Sequence, residues 1–181
     1  MKLSHTRVVM LTAAAVLIIV PAYAGDPSSP ADVFAKLKMM EGTWNANLEQ
    51  TAGEPHEEEA APLSSSHEFR VSGAGSVVME VMGAGSEHEM INMYHMDGED
   101  LVLTHYCAAG NQPTMKLDGE MLAEGKTHFA FTGGTNLKPG DQHIHSVTWE
   151  WQENGSAVAD WTSWSDGAQD AVMHFVLTPS H

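Results

Sequence analysis

The sequence predicts an all-β protein, a single antiparallel up-and-down barrel of about ten strands preceded by one short helix. From residue 64 onward, strand-like segments follow one another, bounded by Gly, Asn, Asp or Pro, with no helical apolar spacing between them. Hairpin turns are indicated by four dipeptides: Asp97-Gly98, Asp118-Gly119, Asn154-Gly155 and Asp166-Gly167. A meander of this length is expected to close, because closure removes its unpaired edges.

The predicted elements begin after a Gly/Ser/Pro linker over residues 25–30. Apolar residues at helical spacing predict a helix over residues 31–40: Val33, Phe34, Leu37 and Met40. The predicted strands cover residues 43–50, 65–72, 76–82, 88–96, 100–107, 114–122, 126–132, 142–152, 157–165 and 170–178. The Glu-, Ala- and Pro-rich segment after the first strand has no apolar period, so we expect a loop there, with residues 54–63 as a candidate lid.

The first 24 residues have the pattern of a secretory signal peptide. Lys2 and Arg7 precede an apolar run over residues 8–20, and Ala22-Tyr23-Ala24 has the small-x-small form of a cleavage site. The expected organisation is a signal peptide over 1–24, the linker over 25–30 and one barrel domain over 31–181. We expect an exported protein, periplasmic or extracellular, that is not held in the membrane after cleavage.

Charge limits the classes of partner. The chain has a formal net charge of −16 at pH 7, and the signal peptide contains two of its 8 basic residues. Such a field repels phosphate backbones and anionic lipid surfaces, so nucleic acid and membrane partners are disfavoured. Metal ions and neutral or cationic small molecules remain compatible with it.

Strand alternation predicts which side chains enter the barrel. In the strand over 142–152 the odd positions carry the imidazoles and most of the apolar side chains: His143, His145, Val147, Trp149 and Trp151. The same parity predicts that further residues face inward: Val77, Met79, Val81, Leu101, Leu103, His105, Cys107, Phe129, Phe131, Ala171, Met173, Phe175 and Leu177. The strand over 88–96 is ambiguous, because both of its faces carry apolar residues.

A candidate site lies where the strand over 100–107 runs into a polar loop. His105 and Cys107, the only cysteine, share the predicted inward face. Gly110 and Pro113 then break regular structure, and the amides of Asn111 and Gln112 can donate and accept hydrogen bonds. Polar loops at strand ends commonly carry binding residues.

Four segments carry a family resemblance: Gly42-Thr43-Trp44 at the first strand, the run over residues 94–113, Gly134-Thr135-Asn136-Leu137 and His143-x-His145. In these segments the sequence resembles exported bacterial proteins of unknown function with lipocalin-like, or calycin, barrels. The resemblance covers most of the chain after the signal peptide and implies a lipocalin- or nitrobindin-like barrel. Calycin-type barrels include lipid and pigment carriers, haem-binding proteins and a few isomerases, so the implied function is broad.

Three interpretations of the interior remain open. The first is a pocket for a small apolar ligand, with these predicted contacts: His105, Cys107, Asn111, Gln112, Phe129, Phe131, Trp149 and Trp151. The second is a zinc or copper site with these predicted ligands: His105, Cys107, His143 and His145. Loosely bound haem, with His105, His143 or His145 as axial ligand, is a variant of the pocket. The third is an internal polar network of the histidines with Asn111, Gln112 and Tyr94 that satisfies its own hydrogen bonds.

Catalysis is left open by the sequence. A metal-dependent enzyme is compatible with the metal interpretation. The chain contains no Gly-x-Ser-x-Gly, Walker-type or His-Glu-x-x-His motif that would indicate a particular reaction.

Overall fold

The computed structural model describes residues 27–52 and 64–180. The first helix, α1, spans Pro30–Met39. The strands that precede the second helix are β1 Gly42–Ala52, β2 Ser64–Ser72, β3 Val77–Met82, β4 Met90–Asp97, β5 Asp100–Tyr106 and β6 Gln112–Leu117. After α2 at Gly119–Ala123 come β7 Thr127–Thr135, β8 His143–Trp151, β9 Ala157–Ser165 and β10 Ala168–Pro179. The predicted signal peptide over 1–24 and the candidate lid over 54–63 lie outside the described residues.

The ten strands form a closed barrel. Each strand pairs antiparallel with the next along the chain, and β1 closes the ring by pairing with both β2 and β10. The predicted fold class, an all-β antiparallel barrel with a short N-terminal helix, is confirmed. Between β9 and β10, Asp166 and Gly167 have φ values of 51° and 77°, the positive pair that a tight hairpin requires.

Helix α1 covers one end of the barrel. The Ser29 side chain caps its N-terminus by accepting a hydrogen bond from the backbone N–H of Asp32, and Pro30 starts the helix. Its apolar residues Val33 and Leu37 are fully buried. The helix packs against β2, β4 and β5. We call the covered end the lower end and the opposite end, where β5 finishes and β6 begins, the upper end.

Alternation along the strands sets the core. Odd positions are buried as predicted in three strands: Leu101, Leu103 and His105 of β5, Val147 and Trp149 of β8, and Phe175 and Leu177 of β10. The ambiguous strand β4 buries Asn92 and Tyr94.

The predicted face of β3 is wrong. Val78, Glu80 and Met82 are buried, whereas their odd-numbered neighbours are only half-buried. Apolar residues occupy both faces of this strand except at Glu80, and simple alternation placed that single acidic residue outside. It lies inside because other strands supply its hydrogen-bond partners.

The predicted strand over 114–122 is also wrong in its second half. Strand β6 ends at Leu117, and α2 follows it. The side chain of Asp118 accepts hydrogen bonds from the backbone N–H groups of Glu120 and Met121, so Asp118 caps a helix here and does not form a hairpin turn. In the described part of the chain, no helix has the length and hydrophobicity needed to cross a membrane.

Candidate functional site

A buried glutamate is the centre of a polar cluster inside the barrel. Glu80 Oε1 accepts a hydrogen bond from His67 Nδ1 at 2.9 Å. Glu80 Oε2 accepts two more, from Asn92 Nδ2 at 2.8 Å and from the Tyr94 hydroxyl at 2.8 Å. All four side chains are at most 1 % exposed. Both carboxyl oxygens act as acceptors, which compensates the cost of removing the acid from water.

The cluster extends to a second imidazole. His105 Nδ1 donates to Asn92 Oδ1 at 2.7 Å. Glu80, Asn92 and His105 are directly opposite one another on the neighbouring strands β3, β4 and β5. Directly opposed inward side chains lie within reach of one another, so the sheet register itself assembles this row.

The hydrogen bonds fix the tautomers of both imidazoles. The Nδ1 of each ring faces an acceptor and therefore carries a proton. When the ring is neutral, its Nε2 has a lone pair. The Nε2 atoms of His67 and His105 are buried and have no hydrogen-bond partner among the described residues. Such an atom can accept a hydrogen bond or bind a metal ion.

Burial perturbs two titratable groups of the cluster. Burial lowers the pKa of His105 to about 4, although the charge of Glu80 opposes the change. Burial, followed by the charge of Glu80, raises the pKa of Tyr94 well above its ordinary value of 10.0. At neutral pH His105 is therefore uncharged and Tyr94 keeps the proton that it donates to Glu80.

A cavity of about 500 Å³ opens at the upper end. It lies between β1, β2, β10 and the β3–β4 connection, and His67 forms part of its wall. Its apolar lining comes from Leu48, Met82, Met90 and Phe175. The ring of Phe175 packs against that of His67, with 5.2 Å between the centroids. The cavity thus brings solvent-accessible space to the polar cluster inside the barrel.

Three of the predicted ligand contacts lie deep in the barrel. His105, Phe129 and Trp149 are each at most 2 % exposed. His105 packs against Trp161, with ring centroids 5.7 Å apart, and Phe129 packs against Tyr94. None of the three predicted residues lines the cavity at the upper end.

The loop after β5 is organised by its own hydrogen bonds. Asn111 is buried and donates to the backbone oxygen of Gln142 at 2.8 Å. Gln112 donates to the backbone oxygen of Gly110 and accepts from the Thr135 hydroxyl at 2.7 Å. Cys107 is half-buried, and its sulfur lies 3.5 Å from the backbone nitrogen of Ala109. These contacts hold the loop in place at the upper end.

His143 and His145 lie at the upper rim and not in the core. The β8–β9 register shifts between Ile144 and Ser146, so β8 contains one extra residue and its alternation reverses. Ile144 is buried as a result, and both histidines are half-buried. The ring of His145 stacks on that of Trp164, with centroids 4.0 Å apart.

The two histidines also contact each other and a predicted interior residue. His143 Nε2 lies 3.1 Å from His145 Nδ1. Phe131, predicted to line the interior, is half-buried and stacks on His145 with 5.0 Å between centroids. Trp151 lies far from this group, near α1, where its Nε1 donates to the sulfur of Met40.

The predicted metal ligands are therefore not assembled into one shell. His105 is in the core, Cys107 is in the loop, and the histidine pair is at the rim. Across residues 27–52 and 64–180, no three or more His, Cys, Asp or Glu side chains form a group that could hold a metal ion. The bulge in β8 is the physical reason, because it removes His143 and His145 from the inward face.

Three residues of the cluster were not among the predicted site residues: His67, Glu80 and Asn92. A usable signal existed at Glu80, an acidic residue within the apolar stretch Val77–Met82. Such a residue either faces solvent or is buried with hydrogen-bond partners. The histidine that pairs with it is 13 positions earlier in the chain.

Comparison with protein-family models found no match, and neither did comparison with curated proteins.

Proposed function

We propose that the protein is an exported carrier that binds a small organic molecule in the cavity at the upper end. The ligand has an apolar body and one O–H or N–H group that donates a hydrogen bond to His67 Nε2. The observation that carries this proposal is that His67 Nε2 has no hydrogen-bond partner among the described residues, in a side chain that is only 1 % exposed and forms part of the wall of a cavity of about 500 Å³.

His67 supplies the energetic reason for ligand binding. A buried polar atom without a partner costs on the order of 1–3 kcal/mol, which a ligand that supplies the missing hydrogen bond recovers. Glu80 keeps a proton on Nδ1, so in the neutral ring Nε2 is the acceptor that the ligand meets. The ligand therefore needs a donor group at this point.

Shape and charge define the rest of the ligand. The apolar side chains of Leu48, Met82 and Phe175 favour a hydrocarbon or aromatic body. The cavity falls within the range of about 300–1,000 Å³ that is common for small-molecule sites. With a net charge of −16, the protein favours neutral or cationic ligands over anionic ones.

The test uses two fluorescent probes that differ in a single donor. 2-Naphthol has an aromatic body and a hydroxyl donor, and 2-methoxynaphthalene has the same body without the donor. We expect the protein to bind 2-naphthol about tenfold more tightly than 2-methoxynaphthalene. In H67F this preference should disappear, because the aromatic ring remains and the acceptor is lost.

Two results would contradict the proposal. If neither probe binds, the cavity is not an organic-ligand site. If both probes bind equally well to the wild-type protein, the ligand does not meet His67. Circular dichroism of H67F establishes that the variant retains the barrel.

A further inference from the structure

We propose that the inner wall of the same cavity is a binding site for Cu(I), with His67 Nε2 and the thioether sulfurs of Met82 and Met90 as its three ligands. The site uses the same His67 Nε2 lone pair that the proposed organic ligand meets, so the metal and that ligand bind one at a time, and Cu(I) binding does not depend on the ligand. In the proposed carrier function Met82 and Met90 provide only apolar surface, whereas here their sulfur atoms bind the metal.

The sheet register brings the three side chains together. Met82 of β3 is directly opposite His67 of β2 and also directly opposite Met90 of β4. All three residues line the cavity. Directly opposed side chains on one face have Cβ atoms about 4.5–5.5 Å apart, so a single ion can lie within reach of all three.

The ligand types select the metal. Thioether sulfur is a soft ligand that favours Cu(I), and imidazole also binds copper. Zinc is bound in proteins by cysteine, histidine and carboxylates, so two methionines disfavour it. Met82 is only 4 % exposed, and Met90 is half-buried, which shelters the site from water at its inner side.

Glu80 provides the arrangement that metal-binding histidines require. It accepts the Nδ1–H of His67 at 2.9 Å, which fixes the tautomer with Nε2 free and increases the basicity of the ring. The three ligands are neutral, so a bound Cu(I) keeps its single positive charge. The Glu80 carboxylate behind His67 offsets that charge within the barrel.

The key variant is M82L/M90L. Leucine retains the apolar character and approximate volume of methionine but has no sulfur. The matched control is M79L/M93L, because Met79 and Met93 are directly opposite each other on the same two strands and are half-buried on the other face. Each double variant removes two sulfur atoms, from opposite faces of the same two strands.

The experiment is a titration of purified protein with Cu(I), under anaerobic reducing conditions, in competition with the chromophoric chelator bicinchoninate. We expect the wild-type protein and M79L/M93L to withdraw one equivalent of Cu(I) from the chelator, and M82L/M90L to withdraw none. X-ray absorption of the wild-type complex should contain Cu–S scattering that is absent from M82L/M90L.

Three outcomes would overturn the proposal: no withdrawal of Cu(I) by the wild-type protein, full withdrawal by M82L/M90L, or equal losses in both double variants. Binding of 2-naphthol by the wild-type protein in the absence of copper tests the carrier function separately from this proposal. Circular dichroism establishes that M82L/M90L retains the barrel.

Discussion

The hydroxyl of Tyr94 donates a 2.8 Å hydrogen bond to Glu80 inside the barrel, where neither side chain is exposed to solvent. The same carboxyl oxygen accepts from Asn92, and the other oxygen accepts from His67. One acidic residue therefore connects β2, β3 and β4 through side chains alone. This arrangement orients His67 towards the cavity.

Replacing Tyr94 by phenylalanine should destabilise the protein by about 1.5–3 kcal/mol, because it removes a hydrogen bond to a charged group in the interior. Urea unfolding followed by tryptophan fluorescence measures the change. Y106F is the matched control: Tyr106 is 48 % exposed, so its loss should change the free energy of unfolding by no more than about 0.5 kcal/mol. Equal effects of the two substitutions would show that the Glu80 contact does not contribute.

Stability should fall on acidification because of His105. Its pKa is about 4 in the folded protein and about 6.5 in the unfolded chain. Between these values only the unfolded chain binds the proton, so the free energy of unfolding decreases as the pH falls. The loss begins near pH 6.5. Once the pH is below 4, the titration of His105 has lowered the free energy of unfolding by about 3 kcal/mol.

The measurement compares urea unfolding of wild-type protein and H105Q between pH 7 and pH 4. Glutamine retains an amide donor for Asn92 and does not titrate, so the stability of H105Q should depend less steeply on pH. NMR provides a check in the wild-type protein: the ring signals of His105 should not titrate above about pH 5. A midpoint near 6.5 would contradict the assigned burial.

The double variant H143A/H145A should bind 2-naphthol as tightly as the wild-type protein does. Both imidazoles lie at the rim, where they contact Phe131 and Trp164, and neither lines the cavity. Fluorescence titration of the two proteins gives the comparison. A loss of affinity of tenfold or more in the double variant would show that the ligand binds at the rim histidines and not at His67.

The order of the residues was enough to predict the class of fold and the position of most strands. Turn dipeptides such as Asp166-Gly167 mark chain reversals locally, because few residues adopt their positive φ values. Apolar alternation likewise identified buried residues of β5 and β10, among them Leu101, Leu103, Phe175 and Leu177. The need to pair every edge then implied a closed barrel.

Tertiary structure alone decided the site. The extra residue in β8 moves His143 and His145 to the rim, and a bulge depends on pairing with β9 as well as on the local sequence. Glu80 is inside because His67, Asn92 and Tyr94, from two other strands, satisfy its oxygens. Alternation within one strand carries no information about partners in other strands, and those partners determine whether a charged group can be buried.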